Sequence, residues 1–186
     1  GQVVAGFSKK GVAYIGVTRD DKAAGAARED GFIAGLKNAG ITLLEENKRT
    51  SAFTLESGYE AALDLLESKC DIDVISCATD TIAAGAIEAI QTYLKKQVPA
   101  NAADAGARMR YILENTSIRV TGFGDNQMLK AVTGGIPTIH FGYKTSGIRG
   151  AELLLDSIER GEQIPIEMKL GFRLVGTDLS DSENQT

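Results

Sequence analysis

The sequence has little of what most catalytic or membrane-bound chains need. One histidine, His140, and two cysteines are present in 186 residues. That excludes a His/Cys metal cluster, and Cys70 and Cys77 form neither a metal spacing nor a disulfide framework. A reducing cytoplasm is the default compartment. No apolar run reaches membrane-spanning length and no signal peptide is visible. The missing initial methionine fits a processed or excised chain. No dense Lys/Arg stripe exists and the net charge is −5, so this chain by itself is poorly suited to gripping phosphate backbones. Phosphate-loop, dinucleotide and nucleophile-elbow glycine motifs are absent. Only 3 prolines interrupt the chain, and 43% of its residues are hydrophobic, enough for a real core.

What is present is an alternation. Residues 74–78, VISCA, form a short apolar run with β-branched residues, which predicts a buried strand. From Thr81 the period changes, and Ile82, Ala86, Ile87 and Ile90 fall on one helical face. A strand that turns into a helix within two residues is half of a βαβ unit. Ligands of open parallel sheets bind outside the carboxyl ends of such strands. Thr79 and Asp80 stand at that end. Asp80 reads as a helix N-cap, as a ligand contact, or as both.

The same pattern recurs. Residues 1–10 read as the end of a helix. Residues 12–17 predict a strand and 21–38 a helix, with Ala24, Ala27, Phe32, Ile33 and Leu36 for its core face and a stop at Ala39-Gly40. Residues 41–45 predict the second strand and 47–54 a loop. Residues 56–68 predict a helix with Tyr59, Ala62, Leu63 and Leu66 inward. A short helix is expected near 102–113, strands at 118–123 and 137–141, a helical turn at 128–132, and a helix over 146–160 stopped by Gly161. Residues 166–175 predict a terminal strand or hairpin, and 178–186 a solvated tail. Strand and helix alternate throughout, which argues α/β with a largely parallel sheet flanked by helices.

The residues available for chemistry lie at strand ends: Thr18 and Arg19, Phe53, Thr79 and Asp80, Gly124 to Asn126, and Tyr143. Arg28 lies just before Gly31-Phe32. Aromatics, an arginine, hydroxyls and carboxylates on one edge suit a polyhydroxylated ligand. Arg28 taken alone reads as a solvated arginine paired with Glu29 or Asp30. His140 reads as a satisfied structural histidine, Cys77 as an inert buried thiol, and Asp71 and Asp73 as solvated turn carboxylates. No nucleophile–base pair is evident, so no enzyme, cofactor or metal is expected.

Several motifs in order carry a resemblance: VAYIGV, R-x-x-G-F, SGYEAA, CATDTIAAGAIEAI, VTGFGDN and PTIHFGYKTSGIRGAELLLDSI. Together they resemble the effector-binding core of the lactose/galactose-repressor family, with the flavour of trehalose- and sucrose-operon repressors. The resemblance implies a periplasmic-binding-protein-like (type I) fold of two lobes with sugar between them. Residues 11–141 would be the carboxyl-terminal lobe, 142–163 a crossover helix of the other lobe, 164–180 return strands and 181–186 a tail. Neither the amino-terminal lobe nor a helix-turn-helix falls within this chain on that reading, so operator DNA would be met only through a domain outside it. The resemblance places ligand contacts on Arg28, Phe53, Thr79 with Asp80 next to it, and Tyr143; the strand-end reading adds Thr18, Asp125 and Asn126 to the candidate ligand contacts. The resemblance also implies a homodimer through Ala84, Ile87, Leu129 and Val132, helped by the small residues Ala83, Ala84 and Gly85; the alternative is that these residues pack inside the lobe. Two departures stand out. The family commonly carries a sugar-binding aspartate where this chain has Gly124, which leaves Asp125 or Asn126 to substitute, or a different ligand. The Ala-rich stretch 101–115 is longer than the family's usual link. The function implied is a sugar- or sugar-phosphate-sensing domain of a repressor of carbohydrate-utilisation genes. A transporter's sugar-binding protein and an enzyme acting on a sugar phosphate are the alternatives.

Overall fold

The computed structural model describes residues 1–94, 104–161 and 166–176. Helix α1 (Gln2–Phe7) precedes strand β1 (Val12–Gly16). A wide turn, Lys22–Ala27, leads into α2 (Arg28–Asn38). Strand β2 (Lys48–Thr50), α3 (Leu55–Glu67), β3 (Val74–Cys77) and α4 (Asp80–Leu94) follow. Then come α5 (Ala105–Asn115), β4 (Arg119–Thr121), α6 (Gln127–Thr133), β5 (Thr138–Phe141), α7 (Tyr143–Arg160) and β6 (Phe172–Val175).

Four strands form a parallel sheet in the order β2-β1-β3-β4. Strand β5 continues it: Gly122 N–H donates to Pro137 O at 2.9 Å and Gly124 N–H to Ile139 O at 3.0 Å. Antiparallel β6 then pairs with β5. The central strands β1 and β3 are buried at every position, so helices cover both faces of the sheet centre. Ile15, Ile75, Ile82, Ile87 and Ile90 are fully buried, as the 3.6-residue period on α4 predicts.

Two local expectations change. The second strand is β2 at Lys48–Thr50, not residues 41–45, which carry no strand. Residues 48–50 read KRT and lie at a sheet edge, where one face meets water and the apolar signature disappears. The small residues of α4 serve its own lobe. A Cβ on Gly85 would meet Tyr59 N at 2.5 Å, and one on Gly58 would meet Ile82 O at 2.8 Å. Two glycines facing each other therefore let α3 and α4 pack backbone to backbone.

Asp73 is also not a free turn carboxylate. It accepts from Ser8 Oγ (2.8 Å) and from the N–H of Lys9 (2.6 Å) and Lys10 (3.1 Å), tying the α1–β1 loop to the start of β3. Asp71 does remain exposed, paired with Lys10 at 3.2 Å. The tail beyond Gly176 lies outside the described residues.

Candidate functional site

The chain runs from β1 outward to β2, then returns to the other side of β1 with β3. The gap above β1 and β3 is the topological switch point, where loops leaving adjacent strands diverge and a ligand can enter. Thr18 follows β1 and Thr79 follows β3, so both stand at this gap.

Arg28 fills it. Its Nη1 donates to the Ala78 carbonyl at 2.6 Å, and its guanidinium lies 4.0 Å from the centroid of the Phe123 ring. The ion-pair reading fails here because Arg19 takes both candidate acids, Glu29 at 3.1 Å and Asp30 at 2.9 Å. Local geometry aims Arg28. Asp21 caps the wide turn by accepting from Ala23 N (3.0 Å) and Ala24 N (2.7 Å), and backbone donors hold its carboxyl below the usual range. Gly25 lets that turn seat directly on the Thr18 carbonyl, where a Cβ would collide. Behind it, Tyr14 stacks on Phe32 at 4.9 Å. The Tyr14 hydroxyl is buried with no partner among the described residues, and burial pushes its phenol upward.

An aromatic row extends from Phe123. Phe123 and Phe141 lie 4.9 Å apart, Phe141 and Tyr143 5.7 Å. Tyr143 is exposed, and its hydroxyl reaches the Gly124 carbonyl at 3.5 Å. Phe123 and Phe141 were not singled out in the sequence. The signal for them was their place at strand ends, where Tyr143 was found.

Asp80 has a different role from the one expected. Thr79 is the cap of α4, its Oγ1 accepting from Ile82 N at 3.2 Å. Asp80 is buried and joins three loops. Its Oδ1 accepts from Thr138 Oγ1 at 2.7 Å and its Oδ2 from the Asn126 N–H at 2.6 Å, while its own N–H donates to Phe123 O at 3.2 Å. A side chain on Gly122 would collide with Asp80 Oδ1, so glycine there makes room for the carboxylate. Asn126 spends its side chain as the cap of α6, accepting from Met128 N (2.9 Å) and Leu129 N (3.0 Å). Asp125, at φ +53°, pairs through Oδ2 with His140 Nδ1 at 2.7 Å. Asp80, Asp125 and Asn126 thus hold the β4–α6 loop against β5, and that loop carries Phe123 and Gly124. Cys77 lies beneath. Burial, reinforced by Asp80, pushes its thiol up, as an inert core cysteine requires.

Arg28, Ala78, Phe123, Phe141 and Tyr143 therefore come together. Thr18 is exposed with its hydroxyl on Asp20 (3.3 Å), and Phe53 is half exposed; neither touches that cluster through a hydrogen bond or ring contact among the described residues.

The dimer residues need correction. Ile87 is fully buried, and Ala84 and Leu129 are 8% and 7% exposed. Helix α5 packs on α4 and α6, and its Met109 and Ile112 are buried. Arg110 Nη1 bonds the Val132 carbonyl at 2.8 Å, and Gly106 lets the two backbones approach. Of the four, Val132 is open at 37%, and neighbouring Met128 is open at 80%.

A family model described as periplasmic binding proteins and sugar binding domain of LacI family matches residues 3–169. The chain belongs to this family. Its sheet and flanking helices are the periplasmic-binding-protein-like fold. The HTH-type transcriptional repressor PurR of Erwinia tasmaniensis is 30% identical over 146 residues, covering 77% of this chain and 38% of that repressor. The solved complex of the transcriptional regulator CelR with cellobiose superposes with a TM-score of 0.70 at 22% identity, covering 88% of this chain and 45% of the other. A dimeric Lac repressor superposes at 0.72 and 18% identity, covering 93% and 56%. The chain spans under half the length of the curated relatives it matches. These LacI-family relatives are regulators rather than enzymes, and among the described residues no helix is long and apolar enough to cross a membrane.

Proposed function

We propose that this LacI-family chain is the ligand-sensing carboxyl-terminal lobe of a cytoplasmic repressor of carbohydrate-utilisation genes. Its effector is a sugar or sugar phosphate bound at the carboxyl edge of the sheet. The observation that carries this is Arg28, held by the Ala78 carbonyl and over the Phe123 ring at the switch point. A guanidinium preset in this way presents its remaining N–H groups to ligand oxygens with little further loss of side-chain freedom. Phe123, Phe141 and Tyr143 offer ring faces to the apolar side of a sugar. Thr18, Phe53 and Thr79 rim the same edge and supply further contacts. Asp80, Asp125 and Asn126 act from behind, by positioning the loop. No catalytic step is assigned.

Sensing follows from a two-lobed arrangement. On this reading helix α7 (Tyr143–Arg160) crosses to the other lobe and β6 (Phe172–Val175) belongs to the return. A ligand that prefers one arrangement of the lobes shifts the population of homodimers competent for operator DNA, which a helix-turn-helix domain outside this chain contacts. Met128 and Val132, exposed on α6, supply the dimer contact on this lobe. The exposed stripe of α7 (Ile148, Leu154, Leu155 and Ile158) supports the crossover, since none of its residues is buried on this lobe.

Calorimetry of the full-length protein tests the site. Arg28→Ala should cost about 2–4 kcal/mol of effector binding, the loss of one or two charge-assisted hydrogen bonds. Unchanged affinity removes Arg28 from the site. A transporter's sugar-binding protein is the second reading, because the family's own description includes periplasmic binding proteins. The gene upstream of Gly1 separates the two: a helix-turn-helix supports the repressor, a secretion signal the transporter.

A further inference from the structure

A buried hydroxyl at the foot of the ligand edge forms no bond within the described fold. Tyr14, on β1, is 3% exposed, and its hydroxyl bonds no described residue. Buried hydroxyls nearly always have a partner, because one left without any destabilises the fold. A phenylalanine at this position would fill the same space and keep the stack on Phe32 at 4.9 Å. The hydroxyl therefore adds a polar group that packing does not call for.

The ring runs along the strand toward the ligand edge. A Cβ on Gly16 would lie 2.8 Å from Tyr14 Cε1 and 3.7 Å from Cζ, so the hydroxyl end of the ring is level with Gly16, the last residue of β1. Ala78 stands alongside in the neighbouring strand, its N–H donating to Ile15 O at 2.9 Å, and its carbonyl is the group that holds Arg28. Tyr14 Oη and the Arg28 guanidinium thus both lie at the carboxyl end of the β1–β3 pair. Phe32, on which Tyr14 stacks, follows Arg28 by one helical turn on the same face of α2. Burial and then Glu29 push the phenol up, while Arg28 and Arg19 act in the opposite sense. The net shift is upward, so the hydroxyl keeps its proton and can both donate and accept.

Resting on the sugar-sensing reading above, we propose that Tyr14 is a specificity-determining residue of the effector site, its hydroxyl hydrogen-bonding one hydroxyl of the bound sugar, directly or through one water. A sugar hydroxyl donates and accepts as a phenol does, so the two match in either direction. A ligand without that hydroxyl leaves the phenol unpaired, which is how a buried polar group selects among close analogues.

Titration calorimetry and thermal unfolding of the full-length protein and of Tyr14→Phe test this. The probes are glucose, fructose, sucrose and trehalose, their phosphate monoesters, and the monodeoxy forms of whichever of these binds. Tyr14→Phe should unfold at the wild-type temperature or above it, and should bind the parent sugar about 3–10-fold more weakly. One monodeoxy form should bind both proteins equally. That convergence marks a direct contact, since an indirect effect on the site would weaken every form alike. Equal affinity of Tyr14→Phe and wild type for the parent sugar overturns the inference, and so does a loss of the same size on every monodeoxy form. Failure of Tyr14→Phe to fold assigns the hydroxyl to the fold and also overturns it. In each of these cases a loss of affinity in Arg28→Ala leaves the sugar-sensing reading standing. No binding of any probe to the wild-type protein overturns the inference and the sugar-sensing reading together.

Discussion

Replacing Asp80 separates a positioning carboxylate from a ligand carboxylate. In the structure Asp80 is 4% exposed and both its oxygens are bonded, to Thr138 Oγ1 at 2.7 Å and to Asn126 N–H at 2.6 Å. A hydrogen bond to a charged acceptor contributes about 1.5–3 kcal/mol, and a buried donor left without a partner costs about 1–3 kcal/mol. Asp80→Ala removes two such bonds and orphans two donors. Some of that is recovered as the β4–α6 loop relaxes and admits water, so a loss of about 3–5 kcal/mol is expected. Asp80→Asn keeps the shape. Its amide oxygen can still accept from Asn126 N–H while its amide N–H donates to Thr138 Oγ1, so only about 1–2 kcal/mol should be lost. Set against a total stability of about 5–15 kcal/mol, the alanine variant sits near the limit of folding and the asparagine variant does not. Urea unfolding followed by circular dichroism reads both values. An alanine variant less than about 1 kcal/mol below wild type, with effector binding abolished, would refute the reasoning. Asp80 would then be a ligand group with no structural duty.

The remaining expectations concern the frame and the crossover helix. Desolvation pulls the Asp73 carboxyl up, but Lys9, Gly11 and Lys10 N–H and the Ser8 hydroxyl outweigh it and hold it below its ordinary value. Its stabilising effect is present above about pH 4 and is lost as pH falls through the lowered value, so Asp73→Asn should flatten the acid limb of a stability–pH curve; an unchanged limb refutes this. Gly85→Ala should destabilise by about 2–3 kcal/mol in thermal unfolding, since the added Cβ meets the α3 backbone; a neutral effect would mean that α3 and α4 can move apart freely. Amides of residues 151–158 in α7 should exchange fast in a demonstrably monomeric sample of this 186-residue chain and slow on association, and protection that persists at every dilution would place the helix on its own lobe.

Much of the ligand edge was legible before any coordinate. Thr18, Thr79 and Tyr143 are candidates because strand ends announce themselves, through a change of period and polar residues after an apolar run, whereas Arg28 enters only through the family resemblance. What each side chain does there was less legible. Arg28 and Arg19 are equally plausible partners for Glu29 and Asp30 in the sequence, and only the turn capped by Asp21 decides which one faces the acids. Asp80 and Thr79 are both good cap residues, and the hydroxyl won because the carboxylate was needed 46 and 58 residues away.

The sequence by itself determined the alternation of strands and helices, the buried centre of the sheet and the family. The first two are properties of local period and of residue type, written within a dozen consecutive positions, and the family is written in motifs that recur in order along most of the chain. The tertiary structure alone decided which charges are already paired, that Ile87 and Leu129 are buried within the lobe, and that Phe123 and Phe141 join Tyr143 in one row. Those outcomes depend on contacts between residues far apart in the chain, where several partners of equal chemistry compete and packing selects one.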